Sequence, residues 1–83
     1  MTYRDIRVST SSQSVIMEVD IVVNDGTNTI VEVKNIRLLY NLANMSNVSW
    51  GSPNYWNGGA YATITVTYKQ GGTVKSDVVY CYP

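Results

Sequence analysis

Histidine and phenylalanine are absent from these 83 residues, cysteine occurs once, and only 14% of the side chains are charged. Each gap closes off a class of function. Without an imidazole the commonest general base is missing, and with it the usual activator of a serine or cysteine nucleophile and most catalytic zinc sites. Triad chemistry is excluded, and no catalytic residue set can be named. The single cysteine, Cys81, permits neither an internal disulfide nor a multi-cysteine zinc site. It reads as a small apolar filler in the last strand, its other use being a bridge between chains. Six basic and six acidic residues cancel, so the basic footprint of a nucleic-acid binder is missing. No apolar run approaches the length that spans a bilayer. Met1-Thr2-Tyr3-Arg4-Asp5 lacks the apolar segment of a signal peptide, which points to an intracellular or virion-borne chain or to a signal already removed. No cofactor motif is present either: Gly58-Gly59 and Gly71-Gly72 lead into no helix and no Lys-Ser or Lys-Thr follows them, so they read as turn glycines.

What the chain does have is alternation. Residues 60–68 and 73–82 flank Gln70-Gly71-Gly72. In the first run Ala60, Ala62, Ile64, Val66 and Tyr68 share one parity, while Tyr61 and three threonines share the other, the pattern of a strand with one wet face. Val15, Met17, Val19, Ile21 and Val23 make a second such face, opposite Ile16, Glu18, Asp20 and Val22. Ile6 and Val8 alternate with Asp5 and Arg7, predicting a short first strand. Asn24-Asp25-Gly26 ahead of the β-branched run 29–33 predicts another hairpin, because these residues tolerate positive φ. Segment 36–44 supports two readings: Ile36, Leu39, Tyr40 and Ala43 lie at helical spacing behind Asn35, and Ile36, Leu38, Tyr40 and Leu42 alternate. A strand is preferred to a short helix there, since both neighbours are β. Segment 45–59, rich in Asn, Ser, Gly and Pro, reads as the longest loop. The expectation is one all-β domain over 1–83, a small antiparallel β-sandwich or barrel of six to seven short strands. A core this small makes oligomerisation an expectation too.

Gly59-Ala60-Tyr61-Ala62-Thr63-Ile64-Thr65-Val66-Thr67-Tyr68, followed by Gly71-Gly72-Thr73 and a returning strand, resembles the final two strands of bacterial immunoglobulin-like modules, in which a Gly-x-Tyr opening precedes alternating Thr and Val. The resemblance covers about a quarter of the chain. It implies an immunoglobulin-like sandwich used as a spacer, adhesion or assembly unit.

Few residues remain that could carry chemistry. Glu18 and Asp20 share a strand face and could in principle share a cation, but alternating strands turn charges outward as a rule and no further ligands accompany them. Asp25 reads as turn chemistry, because the regular oxygen ligands of a calcium loop are missing. The stretch 50–59 exceeds what a connector needs: its rings and amides could stack a sugar, anchor a partner chain or cover the end of the core. Trp50 is assigned to the core side, Tyr55 and Trp56 to an exposed or interfacial role, and the candidate binding or interface residues are Trp50, Tyr55, Trp56, Asn57 and Tyr61. Asn44 and Asn47 each head an Asn-x-Ser acceptor pattern for N-linked glycans, with coincidence the first explanation in so Asn- and Ser-rich a chain. The function expected is that of a non-enzymatic structural or adhesive subunit, of a virion or surface filament, working through self-association or contact with another structural protein. The alternative is a small carbohydrate-binding module that uses the aromatic loop 50–59. Low charge and abundant hydroxyls favour a virion or extracellular surface over the cytoplasm.

Overall fold

The computed structural model describes all 83 residues. Its strands are β1 Thr2–Ser9, β2 Val15–Asn24, β3 Thr29–Asn41, β4 Met45–Trp50, β5 Asn54–Trp56, β6 Tyr61–Gln70 and β7 Thr73–Cys81, with no helix. The five apolar residues of one β2 parity, Val15 to Val23, are all buried. From β6 the matching set is Ala62, Ile64, Val66 and Tyr68, also buried, whereas Ala60 falls in the preceding turn and is exposed. These two apolar faces meet and, with Val79 and Cys81 from β7, form the core. The protein is therefore a small all-β sandwich of two antiparallel sheets, measuring 46 × 21 × 17 Å.

Each sheet is a meander of consecutive strands. The first runs β1-β2-β3, and in the second β6 is flanked by β7 on one edge and by β4 and β5 on the other. An immunoglobulin sandwich instead threads strands between sheets in Greek-key order, so the resemblance of the last hairpin carries no argument about connectivity. The hairpin itself is tight: Gln70 pairs with Thr73 across Gly71 and Gly72, whose φ values of 59° and 82° are those of a type I′ turn that matches strand twist. In the β2–β3 turn the left-handed residue is Asn28, φ 52°, and not Gly26. Gly26 donates its N–H to the Asn24 side chain at 3.0 Å, an Asx turn.

Segment 36–44 forms the preferred strand and not the alternative short helix: β3 continues to Asn41. Its 13 residues face the 10 of β2, and three register shifts absorb the excess, one of them spanning Asn35 at φ 51°. Each bulge flips the parity of the residues after it, so the residues of β3 that reach the core, Ile30, Val33 and Ile36, are three apart. One sequence expectation needs correction: 45–59 is not a loop. Strands β4 and β5 pair in succession with the same edge of β6, making one strand interrupted at Gly51-Ser52-Pro53, where proline cannot supply a ladder N–H. The connection to β6 is only the turn 57–60.

The sheets are joined at both seams. On one, Thr10 bridges to Val79, and Ser12 donates to the Asp77 carboxylate from its N–H at 3.3 Å and its hydroxyl at 2.9 Å. On the other, the Ile30 N–H donates to the Gly59 carbonyl at 2.7 Å and the Val33 N–H donates to the Tyr55 hydroxyl oxygen at 2.7 Å. Gly59 sits at φ 95° with Ile30 so close that a Cβ would fall onto its carbonyl oxygen. Gly58, at φ 68°, has open space around it. Gly58→Ala is expected to cost about 1–2 kcal/mol, the left-handed penalty alone, and Gly59→Ala about 3 kcal/mol or more because it also displaces the seam. Urea unfolding of the two variants measures the difference. Cys81 is fully buried, and desolvation pushes its thiol up to about 11. Thiol reagents at pH 8 should leave native protein unlabelled and modify Cys81 once it is unfolded in urea, as mass spectrometry would record.

Candidate binding face

The outward parity of the second sheet begins at Trp56 and Tyr61, which pair across the β5–β6 turn. The Gly71-Gly72 turn sets the β7 register, placing Tyr80 opposite Thr63 and carrying Tyr82 alongside Tyr61. The four rings cluster. Trp56 lies 6.4 Å from Tyr61, and Tyr61 lies 6.1 Å from both Tyr80 and Tyr82. Tyr80 and Tyr82 are 6.4 Å apart with their planes 12° from parallel. Trp56, Tyr80 and Tyr82 remain 46–59% exposed, while Tyr61 at the centre is half-buried. The Trp56 indole N–H donates to the Thr63 hydroxyl at 2.9 Å, which fixes the orientation of the ring. Between the rings and the threonine ladder lies a shallow depression of about 280 Å³, lined by Asn54, Trp56, Tyr61, Thr63, Thr65, Val78 and Tyr80.

Charge is segregated away from this face: no charged residue occurs between Arg37 and Lys69, and Lys75 and Asp77 of β7 stand opposite Tyr68 and Val66, on the other parity from Tyr80. On the first sheet, Asp5 stands directly opposite Asp20, a repulsive cross-strand pair taken alone. Arg37 resolves it: its guanidinium reaches Asp5 at 3.1 Å and Asp20 at 3.4 Å and also pairs with Glu18. The hydrogen bond to Glu18, then the surrounding carboxylates, hold Arg37 more firmly charged. Asp20 is lowered chiefly by the amide of Asn35, helped by Arg37 and Lys34. Thr2 and the N-terminal ammonium lower Asp25. At Asp77 partial burial pushes upward, but the N–H of Val78 and the bonds from Ser12 outweigh it, leaving the carboxyl below its usual range. All four are engaged in ion pairs or hydrogen bonds at neutral pH, and no three acidic or thiol side chains are grouped to hold a metal.

Among the residues proposed from sequence, Trp56 and Tyr61 come together on the outer face. Tyr55 does not join them, because adjacent strand residues point to opposite sides and its hydroxyl serves the seam with Val33. Trp50 packs partly buried against the core. Asn57 is an exposed turn residue at φ 51°. Asn44 and Asn47 are both exposed. Sequence reasoning missed Tyr80 and Tyr82, although counting the pairing outward from the two-residue Gly71-Gly72 turn brings both beside Tyr61 and Thr63.

Fold and face together define a small β-sandwich with an uncharged aromatic surface. No protein-family model matches this chain, and neither does any curated protein or solved structure.

With no histidine to titrate, the unfolding midpoint in urea should stay flat from about pH 5 to 8. Asp20, Asp25 and Asp77 have folded pKa values below their unfolded ones. Their stabilisation is complete above about pH 5 and is lost as pH falls through the unfolded and then the lowered folded values. Asp77→Asn should lower neutral-pH stability by about 1 kcal/mol and flatten the acid limb, both read from midpoints measured across pH.

Proposed function

We propose that this chain is a non-enzymatic structural or adhesive subunit that works through protein contacts, of the kind that builds a surface filament or virion layer. The observation that carries the reading is an apolar strip at the end of β3: Leu38, Leu39 and Tyr40, with Leu42 just beyond the strand, are 37–55% exposed beside a strand that pairs with β2 alone. Scattered exposed apolar residues mean little, but four within five positions beside an unpaired strand edge are what a β-protein in water normally avoids. One usual protection, a charged side chain, is missing here, because no lysine, arginine or carboxylate follows Arg37 in β3, and the edge is interrupted only by the bulge between Leu38 and Tyr40. Such an edge suits a second copy of the same chain. The lack of an acid–base set, and the engagement of Asp5, Glu18 and Asp20 by Arg37, support a role in contact over one in bond making.

Sedimentation velocity over a concentration series tests this. The unmodified protein is expected to associate reversibly, and Leu39→Ser with Tyr40→Ser to weaken the association about tenfold or more, equivalent to about 1.4 kcal/mol. A protein that sediments as a monomer throughout, or a double variant that associates as well as the parent, would overturn the reading.

A further inference from the structure

We propose that the outer face of the second sheet, centred on Trp56, Tyr61 and Tyr80, is a binding site for a neutral oligosaccharide. This is a surface separate from the β3 strip, and it rests on the reading of the chain as a contact domain without catalysis. A sugar ring presents weakly polar C–H groups on its faces and a rim of hydroxyls that both donate and accept hydrogen bonds. A matching protein surface needs aromatic rings, short neutral polar groups beside them, and no uncompensated charge. This face has all three. Trp56, Tyr61, Tyr80 and Tyr82 supply the rings, whose π faces attract C–H groups. Asn54 and Thr65 line the same depression and offer an exposed amide and hydroxyl, while the hydroxyl of buried Thr63 is already engaged by the Trp56 indole.

Charge and rigidity select among ligands. Lys69 is the only ionic residue of the outward parity on β6, eight residues along the strand from Tyr61, or roughly 27 Å at strand rise. A phosphate or uronate would therefore find no counter-ion at the rings, whereas an uncharged glycan needs none. The depression, at about 280 Å³, lies just under the size range of closed small-molecule pockets. The rings continue beyond it from β5 across β6 to β7, roughly 10 Å at strand spacing, longer than a single pyranose. An oligosaccharide laid across the strands covers that row and a monosaccharide does not. Trp56 is tied by its indole N–H to Thr63 and β5 is held in the ladder of β6, so binding orders little that is not already ordered, which favours affinity.

The test uses the intact 83-residue chain, labelled with ¹⁵N, titrated into the millimolar range with cellohexaose, xylohexaose, mannohexaose and hexagalacturonate. At least one neutral hexamer is expected to shift the Trp56 indole resonance together with the amides of Tyr61, Thr63 and Tyr80, and to bind more than tenfold tighter than its monosaccharide. Trp56→Ala and Tyr80→Ala should each weaken binding about tenfold or more while keeping a dispersed spectrum, and Tyr80→Phe, which keeps the ring, should retain most of it. If either alanine variant loses its fold, Tyr82→Ala with Thr65→Val tests the same face from its exposed side. Absence of shifts with all three neutral hexamers overturns the inference, as does binding of hexagalacturonate alone, or binding that survives the alanine variants. Any of these leaves the sedimentation result on the β3 strip standing. Release of reducing ends from a bound hexamer would instead overturn the non-enzymatic reading itself.

Discussion

The contact on which this sandwich depends is the approach of Ile30 to Gly59, where a backbone N–H from the first sheet meets a backbone carbonyl from the second. Sheets only three strand columns wide cover a strip roughly 10 Å across between outer strands, so water reaches the core from the sides unless the sides are shut. At this seam the absence of a side chain lets β3 close against the β5–β6 turn, and the Tyr55 hydroxyl adds a second link to Val33, further along β3. Opposite, Thr10, Ser12, Asp77 and Val79 do the same work with a bridge and a hydrogen-bonded carboxylate. No buried side-chain polar atom is left without a partner, which is what such closure demands of a small core.

Closure also sorts the surfaces. With both seams occupied by hydrogen bonds, each sheet has one remaining face, and the two differ in kind. The first gathers Asp5, Glu18 and Asp20 around Arg37, a self-neutralising network whose members are satisfied by each other. Exposed pairs of this sort add little stability and leave no free carboxylate for chemistry. On the second sheet the face is made of tyrosine, tryptophan and threonine, apolar enough to gain from being covered and polar enough to stay in water uncovered. The β3 strip is a third surface, apolar and beside an open edge. The sandwich thus carries three surfaces of different chemistry on one small body.

Legibility from sequence varied by element for reasons that can be named. Strand β2 was readable because five successive same-parity residues are all apolar, and β6 and β7 because a Gly-Gly turn fixes their register. Trp50 was placed against the core and is found there, partly buried. Strand β3 was ambiguous over 36–44 because Ile36, Leu39, Tyr40 and Ala43 fit a helical spacing as well as Ile36, Leu38, Tyr40 and Leu42 fit alternation, and the bulges that decide which side chains reach the core are defined only against the partner strand. Residues 45–59 looked like a loop because Gly, Ser and Pro interrupt them, yet a strand can be broken and still pair on both sides of the break. Tyr55 and Trp56 were grouped by adjacency, which in a strand sends side chains apart.

By itself, then, the order of residues determined the period-two alternation, the positions of the tightest turns and the want of an acid–base set, all of which depend on neighbours within a few positions. Only the tertiary structure decided that Trp56, Tyr61, Tyr80 and Tyr82 share a surface, that Arg37 sits among three carboxylates, and that Gly59 must lack a side chain. Those outcomes depend on pairing between segments distant in the chain, where one bulge or one residue of register moves every side chain to the other face.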